Sequence, residues 1–249
     1  MRSRLQFSAQ RGFVLLAALI ASTSVALSTA QPLAAKPATH SAVTPEPRPG
    51  DWMKRHESFN ERAQQGDVEL VFLGDSITQG WADNETWKKY YGPRRAANFG
   101  IGGDRTQHVL WRIEHGNFDG IQPKLVVLMI GTNNSNGADN TAAEIADGIK
   151  AIVGRLREKL PDTKILMLAI FPRGEKPNPQ REKNAEASRL AAEIADDKHV
   201  FYLDIGPEFL TADGTLTKEI MPDYLHLSPR GYEIWAEAIE PNVKDLLGE

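Results

Sequence analysis

The chain is expected to fold as one α/β domain built on a mainly parallel, doubly wound sheet of about five strands. Three observations lead there. Short apolar runs rich in β-branched and aromatic residues recur near residues 70–73, 124–130, 163–170 and 200–203, and such runs read as buried strands, with a further short strand at 95–99. Between them lie helical patterns of roughly ten to twenty residues, an alternation that makes βαβ units and a sheet covered on both faces. Three of the strands also run straight into turns of small or polar residues, which puts the site at the carboxyl edge of the sheet.

Residues 1–30 carry Arg2, Arg4 and Arg11 and no acidic residue, then the apolar stretch 13–21, then small residues ending at Ala30. That three-part layout predicts a secretory signal peptide, cleaved after Ala30 or Ala35. The apolar stretch is shorter than the ~20 residues of a spanning helix, so no stable membrane insertion is expected after cleavage. The expected destination is the periplasm or the outside of the cell. Residues 31–50 hold five prolines and almost no large apolar side chains, and they read as an extended Pro-rich linker before a domain spanning 51–249.

In the domain, 51–67 reads as an amphipathic helix with Trp52, Met53, His56 and Phe59 near one face, ended by Gly66. The first strand stops at Gly74, and Ser76 follows, either as the cap of the next helix or as a functional hydroxyl. A helix over 84–91 turns Trp87 and Tyr91 inward. Three glycines among residues 100–103 mark a loop that turns sharply or approaches something closely. The next helix carries Val109, Leu110 and Ile113 on one face. Thr141 and Glu144 form a capping box that opens a helix running to about Lys159. Asn178 and Pro179 open another helix, and Ser228 and Pro229 the last, with Ile234, Trp235 and Ile239 inward.

Composition removes several functions. Cysteine is absent, so disulfides, thiolate zinc sites and cysteine nucleophiles are excluded. A net charge of −4 gives no global attraction to nucleic acid or to an anionic membrane. No metal-ligand spacing occurs, and Gly100-x-Gly102 lacks the third glycine of a dinucleotide loop because Arg105 stands there. No cofactor or metal is expected. Gly74-Asp75-Ser76-Ile77-Thr78 is not the G-x-S-x-G elbow of α/β-hydrolases.

Five of the six histidines, His40, His56, His108, His115 and His199, read as surface or structural. His226 differs, because Asp223 precedes it by three residues and a carboxylate at that spacing can fix an imidazole's tautomer. One chain thus supplies a serine after the first strand, glycines after the second, an asparagine after the third and an Asp/His pair before the last helix. Those are the parts of an acyl-transfer site.

The blocks Gly74-Asp75-Ser76-Ile77, Gly100-Ile101-Gly102-Gly103, Gly131-Thr132-Asn133-Asn134 and Asp223-x-x-His226 resemble the GDSL, or SGNH, hydrolases, a family of serine esterases. The segments 98–113, 130–134, 172–179 and 223–227 look most like the catalytic subunits of intracellular platelet-activating factor acetylhydrolase. The resemblance covers about residues 66–240 and implies a three-layer α/β/α flavodoxin-like sandwich. It makes Ser76 the nucleophile, His226 the base and Asp223 its orienter. The backbone amides of Ser76 and Gly103 and the side chain of Asn133 become the oxyanion hole. Asp75, Thr132 and Arg173 are candidates for holding substrate. Asn134 replaces the aspartate usual in the wider family, as it does in the acetylhydrolase branch. Relatives in that branch pair, which implies a homodimer.

The expected function is a secreted serine esterase cutting short acyl groups, acetyl above all, from O-acetylated carbohydrate. The alternatives are an acetylhydrolase of lipid esters and a catalytically silent carbohydrate-binding or scaffold module on the same fold.

Overall fold

The structure, a computed structural model, describes residues 39–82 and 84–249. The expected signal peptide and the first part of the Pro-rich segment lie outside the described residues. The elements run in the order α1 (Asp51–Gln64), β1 (Leu70–Gly74), α2 (Ser76–Gln79), α3 (Glu85–Tyr90), β2 (Ala96–Gly100), α4 (Thr106–Glu114) and β3 (Leu125–Met129). They continue with α5 (Ala142–Lys159), β4 (Lys164–Leu168), α6 (Pro179–Ala192), β5 (Val200–Leu203) and α7 (Pro229–Leu247). The five strands form one sheet in the order β2-β1-β3-β4-β5, with every pairing parallel. The chain builds outward from β1 in one direction to β2 and then restarts on the other side with β3. That reversal leaves a crevice at the carboxyl ends of the strands.

Side chains alternate across the sheet. Val71 and Leu73 of β1, with Val126 and Leu128 of β3, join the apolar layer under α1, α4, α5 and α6. Leu70 and Phe72, with Leu125, Val127 and Met129, join the layer under α2, α3 and α7. Because both faces are covered, β1 and β3 are buried at every position, which is why they read as continuous apolar runs. The second layer is aromatic, with Phe72, Trp81, Tyr91 and Trp235 meeting at ring separations of 4.6–6.0 Å.

The caps follow their sequence signals. Thr141 and Glu144 bond reciprocally, Asn178 accepts from the amides of Gln180 and Arg181, and Ser228 accepts from that of Gly231. Two side chains sit differently. Trp87 and Ile234, expected inward, are only partly buried; Tyr91, just past α3, is fully buried.

The larger difference is at the amino end. Residues 39–50, expected as linker, are fastened to the domain, and the compact unit reaches back past residue 51. Ala42 is fully buried, its carbonyl accepts from Thr106 Oγ1 at 2.8 Å, and the Glu46 amide donates to the Gln107 carbonyl. Asn140 Nδ2 reaches Ser41 Oγ. This strap is held by two backbone bonds and by the side chains of Ser41 and Arg48, contacts that composition does not register.

Candidate active site

Four chain segments meet at the carboxyl ends of β1, β2 and β3. On the first, Asp75 rather than Ser76 caps α2: its Oδ1 accepts from the Ile77 amide at 3.0 Å. Asp75 is fully buried. Burial pushes its carboxyl up to about 7, with the Asp104 charge adding; the Ile77 amide, His226 and Arg173 pull the other way. Ser76 is therefore the first helical residue and is half-buried. Tyr232 of α7 donates to the Ile77 carbonyl at 2.7 Å and clamps α2 from behind.

Ser76 Oγ lies 2.9 Å from His226 Nε2, and His226 Nδ1 lies 2.7 Å from Asp223 Oδ2. The other carboxylate oxygen, Asp223 Oδ1, accepts from the amides of Leu225 at 3.0 Å and His226 at 2.7 Å. Tyr224 between them has φ 61°. Desolvation raises the Asp223 pKa, but the hydrogen bonds from His226 and from the two amides together hold it below its ordinary value. The pair is open to solvent: the side chains of His226 and Asp223 are 45% and 56% exposed. His226 Nδ1 donating to that carboxylate leaves Nε2 free to accept from the serine hydroxyl.

The second and third segments face Ser76 from the other side. Gly100 belongs to β2, and a β-carbon there would collide with the backbone of Gln79. Its glycine thus serves the close approach of β2 to α2 rather than a nucleotide. A β-carbon on Gly102 would come within 3.7 Å of Ser76 Cβ, so this loop borders the serine. Gly103 is exposed with φ 77°, backbone that favours glycine. Asn133 Nδ2 donates to the Asp104 carbonyl at 2.9 Å, which ties the loop after β3 to the glycine loop.

Beneath the loop is a buried ionic cluster. Asp104, fully buried, meets Arg112 Nε at 2.9 Å and accepts from Trp52 Nε1 at 2.6 Å. Arg112, also fully buried, reaches the carbonyls of Phe99 and Gly74. One arginine thereby grips the ends of β2 and β1 together. Asn134 explains its departure from aspartate. Its Oδ1 accepts from the Thr106 amide, while Nδ2 faces Thr106 Oγ1, Gln107 Oε1 and Asn140 Oδ1, each at 3.1 Å. Two of those are amide oxygens that only accept, and they would repel a carboxylate oxygen.

The candidates for holding substrate separate. Asp75 is buried behind Ser76. Thr132, also buried, has its carbonyl and hydroxyl bound by Arg173 Nη1 at 3.3 and 3.2 Å. Arg173 is partly exposed and lines a cleft of about 360 Å³ with Asn178, Gln180, Asp223, Tyr224 and Leu225. Two contributors had no cue in the sequence. Gln79 Oε1 accepts from the Gly102 amide at 2.7 Å, and Arg48 reaches the same loop from the strap. Of the remaining histidines, His56 and His108 are buried, and burial holds both down at about 4, while His115 is exposed. Among the described residues, no group of three or more histidine and acidic side chains is placed to hold a metal, and no helix is long and apolar enough to cross a membrane.

Residues 72–234 match the model of the GDSL-like lipase/acylhydrolase family. The chain belongs to that family. As a GDSL acylhydrolase it is an ester hydrolase. It is 42% identical over 201 residues to the human platelet-activating factor acetylhydrolase IB subunit alpha1, covering 80% of this chain and 86% of the human one. Among solved structures, a GDSL-like lipase from Bacteroides thetaiotaomicron superposes with a TM-score of 0.58 at 22% identity, over 77% of this chain and 97% of that one. An acetylxylan esterase from Geobacillus stearothermophilus gives 0.57 at 20% identity, over 74% and 95%. These two share the fold of this GDSL acylhydrolase.

Proposed function

We propose that this acylhydrolase is a secreted serine esterase that removes acetyl groups, with Ser76 as nucleophile. The observation that carries the reading is the unbroken hydrogen-bonded chain from Ser76 Oγ through His226 to Asp223. In the first half-reaction Ser76 Oγ attacks the ester carbonyl carbon while His226 Nε2 takes its proton. The carbonyl π electrons move onto oxygen. That oxyanion is met by the backbone N–H groups of Ser76 and Gly103 and by the Asn133 amide, donors set in place before charge develops. The tetrahedral intermediate collapses, the alcohol oxygen leaves with the proton from His226, and acyl-Ser76 remains. Water then repeats the sequence, giving its proton to His226 and releasing acetate as Ser76 recovers its hydrogen.

The expected export signal favours extracellular substrates, and O-acetylated polysaccharide is the class we favour. The polar cleft beside Asp223, lined by Arg173, Asn178 and Gln180, suits a hydroxyl-rich leaving group better than an alkyl chain. A second reading, acetylated lipid, is supported by the 42% identity to the acetylhydrolase subunit. The test is a p-nitrophenyl ester series from acetyl to octanoyl, followed by acetylated xylan against an acetylated phospholipid. Acetyl preference with release of acetate from xylan is the expected outcome; a longer-chain preference or lipid-only turnover rejects it. Ser76→Ala is expected to lose all turnover and all labelling by a fluorophosphonate probe, with its thermal midpoint unchanged.

A further inference from the structure

Arg48 sits in the strap that composition marks as linker, yet its guanidinium is placed against the glycine loop. Nη1 donates to the Gly102 carbonyl at 2.8 Å and lies 3.3 Å from Asp104 Oδ1. A β-carbon on Gly103 would stand 3.2 Å from both Nη1 and Nη2. The Gly102 carbonyl and the Gly103 N–H belong to one planar peptide unit, and that N–H is a proposed oxyanion donor. The peptide lies between two glycines, so no side chain resists its rotation by half a turn. Such a flip would carry the N–H out of the site and turn the carbonyl oxygen in. Neighbouring peptides are held by other groups: the Gly102 amide by Gln79 Oε1 and the Asp104 amide by the Ile101 carbonyl, with the Asp104 carbonyl beyond them held by Asn133. The carbonyl of the donor peptide itself is held by Arg48.

We propose that Arg48 is a positioning residue, holding the Gly102–Gly103 peptide with its N–H turned into the oxyanion hole. A charged donor on the carbonyl also polarises the peptide and strengthens the N–H at its other end. Asp104 fixes the guanidinium, and Trp52 and Arg112 fix Asp104. The strap therefore completes the active site from outside the five-stranded core. This inference rests on the proposed esterase reading.

The experiment uses the full mature protein with p-nitrophenyl acetate as probe. Arg48→Ala is expected to lower kcat roughly 10- to 100-fold with KM within about twofold, the mark of a group that acts in the transition state. Arg48→Lys and millimolar guanidinium added to Arg48→Ala should each restore part of that loss, which a merely structural staple would not allow. In glycine-15N-labelled protein the Gly103 amide resonance should shift or broaden in Arg48→Ala and return with guanidinium. Should Arg48→Ala fail to fold, Arg48→Gln, which keeps a donor without the charge, takes its place with the same expected kcat split. Unchanged kcat in a folded variant, or a KM rise alone, overturns the inference while the esterase reading stands. Wild-type protein that neither turns over the ester nor labels with fluorophosphonate overturns both.

Discussion

The two sides of Ser76 are built in opposite ways. On one side, Asp223 and His226 lie three residues apart in a single turn, bond to each other and to local amides, and are about half exposed. On the other, the glycine loop is held by Asp104, Arg112, Trp52, Arg48, Gln79 and Asn133. Four of them come from distant parts of the chain, and the other two, Asp104 and Arg112, form an ion pair with no solvent exposure. The difference teaches where chemistry and stability separate. A short exposed turn can carry a proton shuttle without supporting the fold. In the proposed mechanism the donor aimed at transient charge must not move, and the loop that carries it is held by groups that also join β1 to β2.

The comparison predicts which variants divide activity from stability. The largest effect is expected from Asp223→Asn. It leaves shape intact but removes the acceptor that fixes the His226 tautomer, so kcat should fall about 10²–10⁴-fold. Because the carboxylate is more than half exposed, its urea midpoint should stay put; substantial destabilisation would erase the contrast between the two sides. Arg112→Met should do the reverse. It leaves Asp104 buried without its cation, a change that costs about 3–5 kcal/mol. A variant that unfolds in urea like wild type would show that the loop does not depend on the cluster.

The smallest expected effect concerns pH. Asp75 has a folded pKa raised to about 7 by burial, so between about pH 4 and 7 the folded protein binds a proton that the unfolded chain has released. Stability contributed by this group is complete below the unfolded value and is lost as pH rises through about 7. Urea titrations at pH 5 and pH 8 should show wild type losing on the order of 2 kcal/mol relative to Asp75→Asn, whose side chain retains the capping oxygen. Parallel pH dependences in the two proteins would place the Asp75 charge in a better solvated setting than the buried cap implies.

What the sequence disclosed follows the same division. The three central strands are legible because burial on both faces writes continuous apolar runs, the edge strands β2 and β5 by their place in the alternation with helices, and the caps at Thr141, Asn178 and Ser228 because a cap is a local bond. Asp223 and His226 were found for that reason also. α2 is legible only as a cap reading, because four residues, Ser76–Gln79, hold too little of a period to register, and the capping role falls on Asp75 instead of Ser76. Gln79 and Arg48 were invisible for another reason. Each acts through one polar bond to backbone far along the chain, and neither residue type nor spacing encodes such a bond. The strap at 39–50 reads as linker because a proline-rich composition says nothing of what the chain lies against.

The hydroxyl of Tyr232 on the Ile77 carbonyl joins positions 155 residues apart, and Ser76 meets His226 across 150. The ribosome makes the serine early and both of its distant companions near the end. A nascent chain with β1 through β5 in place would still lack both the imidazole proposed as base and the clamp on α2. Under the proposed roles, the order in which residues are joined would by itself withhold the finished site until nearly all of the domain had been made.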